Sequence, residues 1–352
     1  MQKKNPYTIS FGKIPTKYLS RNYIIDTITE ALEDDEPDEQ AFKLTGIRGT
    51  GKTVTLTAIE RRFRENEDWI VIGINSDTDI ISELVANLYS AVPFITKFVD
   101  ANLNLSAFGI GLNIAEKSPV ASINYALKVL LTEMKKRGKR LLITIDEARK
   151  TKGIVEFIQE FQILIRQDLP IFIVLAGLYE DIESLENAEG LTFFLRATKF
   201  EMTPLNITYI RDDYMKTLDI PFEEAEKMAF TTKGYAYAYQ TLGKYMWDYK
   251  SKTLDTEVLR AFDDVLSEKV YKKIWSELAP KDKWFLQYIV QKKKMTADEL
   301  LEITKQSHAE WSIPRARLRE KGIINVETRG VISIRLPRFK EFVENQIALE
   351  TM

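Results

Sequence analysis

Five short runs of consecutive apolar residues, separated by longer amphipathic stretches, dominate the first 204 residues. The runs are rich in β-branched residues and stay apolar at successive positions, which is typical of strands buried on both faces. Such strands occur in parallel sheets that helices cover on either side. We therefore predict strands AFKLTG at 41–46, WIVIGIN at 69–75, LLITID at 141–146, PIFIVLAG at 170–177 and TKFEMTP at 198–204.

Amphipathic segments of helical period lie between these runs, at 52–63, 79–90, 121–137 and 153–167. The alternation of strands and helices predicts an α/β fold with a five-stranded, mainly parallel core. The segment NLSAFGIGLNI at 104–114 interrupts the alternation. Its glycines among alternating apolar residues indicate a β-hairpin.

The chain becomes helical after Pro204, with helices predicted at 206–218, 221–232, 235–249 and 255–274. Beyond Pro280, helices at 281–291, 296–304 and 307–321 precede two short strands in INVETRGVISIRL. Three helices followed by a hairpin is the order of a winged helix-turn-helix. We predict an α/β core at 1–204, a helical lid at 205–278 and a winged helix-turn-helix at 279–352.

Composition narrows the possible chemistry. The chain has 352 residues, no cysteine and one histidine, His308. These counts exclude thiolate zinc sites, cysteine nucleophiles and clusters of several histidines. The sequence contains neither an apolar run of about 18 residues nor a signal-peptide pattern at its N-terminus. We expect a cytoplasmic protein, without a membrane as partner.

The strongest chemical signal is Gly46-Ile-Arg-Gly-Thr-Gly51-Lys52-Thr53, which fits G-x-x-x-x-G-K-[S/T] at every position. The glycines let successive backbone N–H groups point at phosphate oxygens, and the following helix adds its positive end. Lys52 would reach the β and γ phosphates, and the Thr53 hydroxyl would bind magnesium. The motif predicts ATP and Mg²⁺ as cofactors, with nucleotide contacts from Gly46, Gly49, Thr50, Gly51, Lys52, Thr53 and Val54.

An acidic pair, Asp146 and Glu147, ends the apolar run LLITID. Carboxylates beside a buried strand are costly unless something binds them, and magnesium would do so. Asp146 would hold the metal ion, and Glu147 would act as general base on the attacking water. The alternative is an acidic pair that only caps the next helix.

With these two motifs in this domain order, the sequence resembles the AAA+ superfamily of P-loop ATPases. It is most similar to the branch of archaeal-type replication initiators and related stand-alone ATP-binding proteins. The resemblance implies that Ile14 and Pro15, with the stretch YLSR at 18–21, flank the adenine. It also implies that Arg196 is an arginine finger for a γ-phosphate, in the same or an adjacent subunit. An ordinary packed arm and a surface arginine are the alternatives.

Two positions depart from the family pattern. Ala176 and Gly177 end the fourth strand, where a polar residue usually contacts the γ-phosphate in the family. Tyr237 lies near the place of an arginine in the lid of the initiators. The departures predict slow hydrolysis, and one hypothesis is a pseudo-ATPase that binds nucleotide but barely hydrolyses it.

The C-terminal module is basic on an acidic chain. Residues 281–345 carry 14 Lys/Arg and 9 Asp/Glu, a net charge of +5, whereas the whole chain has −2. This asymmetry favours double-stranded DNA as a partner, contacted by Arg315, Arg317, Arg319 and Arg329, although Arg317 does not share the face of Arg315 and Arg319. The leading hypothesis is a DNA-associated ATPase switch. The alternative is a signal-transducing or defence-type ATPase whose winged helix docks a protein partner, and self-association is a further possibility.

Overall fold

The computed structural model describes residues 4–10, 15–110, 122–292, 294–326 and 330–350. They form two compact units. The sheet unit consists of Arg21–Thr45 and Lys52–Glu201, and the helical unit consists of Met1–Ser20, Gly46–Gly51 and Met202–Met352. The glycine-rich loop thus groups with the helical unit, while Lys52 begins a helix of the sheet unit. The division into three domains remains a prediction.

The sheet unit is built on five strands: β1 (Ala41–Thr45), β2 (Trp69–Asn75), β3 (Arg140–Asp146), β4 (Ile171–Gly177) and β5 (Thr198–Glu201). Their order is β2-β3-β4-β1-β5, and every neighbouring pair is parallel. The central strands are buried on both faces, as the continuous apolar runs predict. The prediction of a five-stranded parallel core is therefore confirmed.

Seven helices surround this sheet in the described part of the unit: α1 (Asn22–Glu33), α2 (Lys52–Arg64), α3 (Ile80–Ala91), α4 (Pro93–Asn102), α5 (Ile123–Lys136), α6 (Lys152–Ile165) and α7 (Tyr179–Glu186). Helix α6 shows why they form. The Thr151 side chain caps its first turn, and Ile154, Phe157, Ile158 and Phe161 are buried at helical spacing. One face of the helix therefore covers the sheet.

Helix α4 is absent from the sequence-based prediction. Val92 is both the last cap of α3 and the first cap of α4, and Pro93 occupies the first turn of α4. A single connecting residue leaves no polar loop to mark a second helix. The described part of the predicted hairpin contains a 3-10 helix, Ser106–Phe108, whereas residues 111–114 lie outside the described residues.

The helical unit contains α8 (Ile207–Leu218), α9 (Phe222–Thr232), α10 (Ala236–Asp248), α11 (Thr256–Leu266) and α12 (Lys272–Ser276). A π-helical turn, Ser267–Tyr271, joins α11 to α12. We call α8–α12 the lid. Its segments match the four predicted lid helices.

The C-terminal module follows, with α13 (Pro280–Ile289), α14 (Ala297–Thr304), α15 (His308–Glu320), β6 (Ile324–Val326), β7 (Ile332–Ile334) and α16 (Phe339–Glu350). β6 and β7 pair in antiparallel fashion, and Met295 adds a bridge to Ile332. Three helices and a hairpin occur in the predicted order. His308 begins α15 and packs against Trp311, which is fully buried.

Side chains of the lid bind the C-terminal module at several points. The Arg338 guanidinium donates to both carboxylate oxygens of Asp263 on α11. The Lys233 ammonium donates to the carbonyls of Ile334 and Leu336, at 2.9 and 3.2 Å. These bonds connect the end of α9 to the strand β7 and the segment after it.

The N-terminal segment packs on the lid. The hydroxyls of Tyr7 and Tyr239 donate to Asp213 Oδ2 at 2.8 and 2.6 Å, and Lys17 lies 3.0 Å from Oδ1. The Tyr7 ring lies so close to Gly243 of α10 that a methyl group there would approach it to 2.8 Å. Burial raises the pKa of Tyr7, so that its hydroxyl stays a donor to the carboxylate.

Among the described residues, none of the helices has the length and apolar character needed to cross a membrane.

Candidate functional site

The two predicted magnesium ligands touch each other in the sheet unit. Asp146 is the last residue of β3, and Thr53 lies in the first turn of α2. The Thr53 hydroxyl donates to Asp146 Oδ2 at 2.6 Å. Asp146 Oδ1 accepts the Glu147 N–H at 2.9 Å. Residues 93 positions apart in sequence thus meet at the carboxyl edge of the sheet.

This pair suits a magnesium ion. Mg²⁺ takes hard oxygen ligands and is usually bound through one or two protein groups, the rest being water and phosphate oxygens. A hydroxyl and a carboxylate oxygen 2.6 Å apart supply two such ligands on one side of a metal position. Thr53 and Asp146 would hold the ion, and the ion would neutralise charge on bound phosphates.

Glu147 occupies a strained backbone position next to this pair. Its φ is 51°, in the left-handed region that non-glycine residues rarely adopt. Two flanking contacts keep it there, because the Ser76 hydroxyl donates to the Glu147 carbonyl and the Ala148 N–H donates to the Ala176 carbonyl. The side chain of Glu147 is exposed. A turn held this way projects the carboxylate from the sheet edge, whereas simple capping of the next helix is done by Thr151.

Ser76 is not among the residues predicted from the sequence for this site. It directly follows β2, the neighbour of β3, and Asn75 lies opposite Asp146 in the register. A polar residue just after a buried strand that neighbours an acidic one is the signal that could have identified it.

The end of β4 has no room for a polar side chain. A Cβ on Gly177 would approach the Ala148 carbonyl oxygen to 2.6 Å and Ile182 Cδ1 to 2.9 Å. Ala176 is fully buried. The close approach of the Glu147–Ala148 turn therefore explains why this position carries glycine rather than a phosphate-sensing residue.

The phosphate loop itself, Gly46–Gly51, lies in the helical unit. Gly49 and Gly51 have φ of 76° and 94°, where a side chain is strained. A Cβ on Gly46 would approach Thr50 Oγ1 to 2.8 Å. The Thr50 hydroxyl closes the loop by donating to the Ile47 carbonyl at 2.9 Å. The backbone path therefore favours glycine at positions 49 and 51, and close side chains favour it at position 46.

The lid reaches this loop through two tyrosines at the start of α10. The Tyr235 hydroxyl donates to the Arg48 carbonyl, and the Tyr237 N–H donates to the Gly49 carbonyl at 3.0 Å. Arg48 also pairs with Glu277, at the end of α12. In the sequence, Tyr237 is notable only because the family often has an arginine near this place. These contacts link residues nearly 190 positions apart and leave no local sequence signal.

The residues expected around the adenine are partly described. Ile14 lies outside the described residues, and Pro15 is buried in the helical unit. Arg21 belongs to the sheet unit, where burial lowers its pKa to about 10. The adenine role of Ile14, Pro15 and the stretch 18–21 stays a prediction.

Arg196 lies near the amino ends of the parallel strands, whereas Asp146 lies at the carboxyl end of β3. It ends a 3-10 helix directly before β5, and Thr198 of β5 pairs with Phe42 near the start of β1. Because the strands are parallel, Arg196 is at their amino edge, and the seven residues of β3 span ~20 Å. An arginine side chain is too short to cover that distance. A finger role is therefore compatible only with the nucleotide of another subunit, and Arg196 is exposed.

The four arginines predicted to contact DNA have different surroundings. Arg315 lies over the Trp311 ring, 5.2 Å from its centroid, and Arg319 is exposed. Arg317 is half-buried, and its Nε and Nη2 donate to Asp282 Oδ1 at 2.9 and 2.6 Å. Its guanidinium thus holds α15 to α13, and a DNA contact by Arg317 stays a prediction. Arg329 lies outside the described residues.

A parallel sheet of order β2-β3-β4-β1-β5, with a glycine-rich loop after β1 and an acidic pair at the end of β3, is the fold of an AAA+ P-loop ATPase. Structure comparison agrees. A Walker-type ATPase of Pyrococcus abyssi superposes with a TM-score of 0.65 at 16% identity, covering 92% of this chain and 95% of that one. The ORC2 protein of Aeropyrum pernix, solved as ADPNP–ADP complexes, gives a TM-score of 0.55 at 13% identity and covers 97% of both chains.

The chain thus shares its fold with these two proteins, and the predicted resemblance to AAA+ P-loop ATPases is confirmed at the level of the fold. A family model described as a domain of unknown function, DUF8462, matches residues 268–343. No curated protein matches the sequence.

Proposed function

We propose that this chain is a magnesium-dependent ATPase switch whose C-terminal module is a winged helix that binds double-stranded DNA. The observation that carries the ATPase part is the 2.6 Å bond between Thr53 and Asp146. A helix N-terminus at Lys52, a hydroxyl and two carboxylates at one sheet edge are the groups that bind a phosphate–magnesium complex and activate water. We also propose a cytoplasmic location.

Hydrolysis in this proposal is slow. Glu147 is the general base, but Gly177 leaves no space for a polar residue that contacts the γ-phosphate. Tyr237 stands in the lid in place of a cation. Lys52, with a metal ion held by Thr53 and Asp146, would then stabilise transition-state charge, and Arg196 of a neighbouring subunit is the proposed finger.

The test is phosphate release by the wild type and by Glu147→Gln. Without a general base, we expect the steady-state rate to fall by about 100-fold, the usual range for loss of such a group. Binding of ATP with magnesium should stay within a few-fold of wild type, since the amide keeps the shape of the side chain. Equal rates near zero for both proteins would instead establish a pseudo-ATPase.

Contacts within the helical unit support the switch. Tyr235 bonds to the phosphate loop, and Lys233, two residues earlier, donates to two carbonyls of the C-terminal module. Arg48 of the loop pairs with Glu277, just before the module begins. Tyr235, which contacts the loop, is therefore only two residues from Lys233, which contacts the C-terminal module. A change in the loop on nucleotide binding could pass to the module through this short segment.

DNA binding rests on Arg315 and Arg319 of α15, because Arg317 is bound to Asp282. We expect Arg315→Ala with Arg319→Ala to weaken binding of a short duplex at least about tenfold at low salt. The slope of log affinity against log salt should fall by about 2, one for each phosphate contact removed. Fluorescence anisotropy at several salt concentrations measures both quantities.

A matched control removes two exposed charges from the lid, Lys216→Ala with Lys250→Ala. Both double variants lower the net charge equally, so a general charge effect would weaken DNA binding in each. The DNA proposal fails when the wild type has no affinity for the duplex even at low salt.

The second candidate is a winged helix that docks a protein partner in a signalling or defence system. Its supporting observation is Ile313 on α15, which is 62% exposed on the helix expected to enter DNA. A stable partner that co-purifies with the chain and still binds the Arg315/Arg319 double variant would favour this function.

A further inference from the structure

The start of α10 is fixed before it reaches the phosphate loop. Lys233 and Gly234 both have left-handed backbones, with φ of 49° and 74°, and end α9 sharply. The Gly234 carbonyl accepts the Leu205 N–H at 2.8 Å, and the Tyr235 N–H donates to the Thr232 carbonyl at 2.9 Å. Tyr235 therefore emerges from a rigid turn.

Tyr235 and Tyr237 hold two consecutive carbonyls of the loop. The Tyr235 ring is buried, with 6% of its surface exposed, and its hydroxyl donates to the Arg48 carbonyl. Burial raises the pKa of this tyrosine, so the hydroxyl stays protonated as a donor. The Tyr237 N–H, in the first turn of α10, has no partner within its own helix and donates to the Gly49 carbonyl at 3.0 Å.

The planarity of the peptide bond converts these two contacts into an orientation of N–H groups. In a trans peptide the C=O of one residue and the N–H of the next point in opposite directions. When the carbonyls of Arg48 and Gly49 point to the lid, the N–H groups of Gly49 and Thr50 point away from it. These two N–H groups belong to the motif that cradles phosphates.

Gly49 allows the Tyr235 side chain to approach the loop. Its φ of 76° suits glycine, and a Cβ there would also collide with the Tyr235 hydroxyl. The motif glycine is thus required both by the backbone and by the tyrosine that packs on it.

We propose that Tyr235 is a positioning residue for phosphate binding, which acts from the lid by fixing the peptide planes of Arg48 and Gly49. This inference rests on the proposed ATP binding. It assigns to Tyr235 of the lid the task of orienting the loop without touching the nucleotide. The loop N–H groups serve phosphates that ATP and ADP share, so Tyr235 affects both nucleotides alike.

The experiment compares Tyr235→Phe with Tyr214→Phe. The Tyr214 hydroxyl also donates to a backbone carbonyl, that of Tyr239 at 2.6 Å, and Tyr214 is fully buried in the same lid. Both variants lose one buried phenol bond, but only Tyr235 bonds to the loop. For both variants and the wild type, titration with fluorescent ATP and ADP in the presence of magnesium gives the Kd values. Thermal melting gives the melting temperature.

We expect Tyr235→Phe to raise the Kd of ATP and of ADP by about 3- to 10-fold, the effect of losing one hydrogen bond. KM should rise by the same factor, with kcat within about twofold of wild type. Tyr214→Phe should lower the melting temperature similarly but leave both Kd values within about twofold.

The other outcomes separate the two claims. A wild type without affinity for ATP overturns the proposed function and this inference together. A wild type that binds ATP, with equal Kd values for the two variants, overturns only the inference. Weaker ATP binding with unchanged ADP binding also overturns it, because that result indicates a direct contact with the γ-phosphate.

Discussion

Replacing Lys52 with alanine is expected to reduce affinity for ATP with magnesium by about 100-fold and to abolish hydrolysis. Lys52 is the first residue of α2. In the proposed ATP site its ammonium would reach the β and γ phosphates. A charge-assisted hydrogen bond contributes up to about 3 kcal/mol, which corresponds to about 100-fold in affinity. Isothermal titration of the purified chain with ATP and MgCl₂ measures the loss.

Arg61→Ala is the matched control. Arg61 lies in the last turn of the same helix and is exposed, so it removes an equal charge ~13 Å along the axis. Its affinity for ATP should equal that of the wild type. An unchanged Kd for Lys52→Ala would contradict both the role of the motif and the ATPase proposal.

The same variant tests Arg196. A Lys52→Ala subunit is expected to lack hydrolysis but keeps Arg196, and an Arg196→Ala subunit keeps Lys52 but lacks the proposed finger. Since Arg196 is at the far edge of its own sheet, we expect the mixture to hydrolyse ATP faster than either variant alone. No recovery on mixing would count against a finger in an adjacent subunit.

The sheet could be predicted from the sequence because burial on both faces leaves continuous apolar runs, as in Leu141–Ile145 of β3. The Thr53–Asp146 contact was also predictable, since carboxyl ends of parallel strands share one edge. Both the sheet and this contact can thus be predicted from short stretches of sequence. Helix α4 escaped prediction because Val92 serves two helices and no polar loop separates them.

The contacts that involve the lid could not be predicted. Tyr235 meets Arg48 only after the chain has completed the whole sheet unit, and the tyrosine hydroxyl binds a carbonyl, which every residue type carries. The same limit applies to Arg317. Helical spacing shows that Arg317 lies on a different face from Arg315 and Arg319. It does not show that Asp282 on α13 accepts hydrogen bonds from Arg317.

The Arg317–Asp282 pair leads to the second large effect, on stability. Asp282 is 1% exposed, and its Oδ1 accepts two bonds from the Arg317 guanidinium. Its Oδ2 accepts the Ala279 N–H at 3.3 Å, which caps α13. Among the described residues, the carboxylate left buried by truncating Arg317 would keep only this backbone partner.

We expect Arg317→Ala to destabilise the C-terminal module by about 2–3 kcal/mol. Breaking a fully buried pair costs about 3–5 kcal/mol, and water screens part of this one because the Arg317 side chain is 39% exposed. Amide hydrogen exchange in the full chain should show protection of α13 and α15 reduced by about 30- to 100-fold. Arg319→Ala, on the exposed side of the same helix, should change protection little.

Asp282→Asn combined with Arg317→Ala separates charge from packing. A neutral amide costs less to bury than a carboxylate, so the double variant should regain part of the lost protection. Lower protection in the double variant than in Arg317→Ala would contradict a buried charge as the cause. This result also bears on DNA binding, because Arg317→Ala would lose DNA affinity through local unfolding of α15. Loss of DNA binding therefore indicates a phosphate contact only in a variant that keeps this protection, as expected for Arg319→Ala, and not in Arg317→Ala.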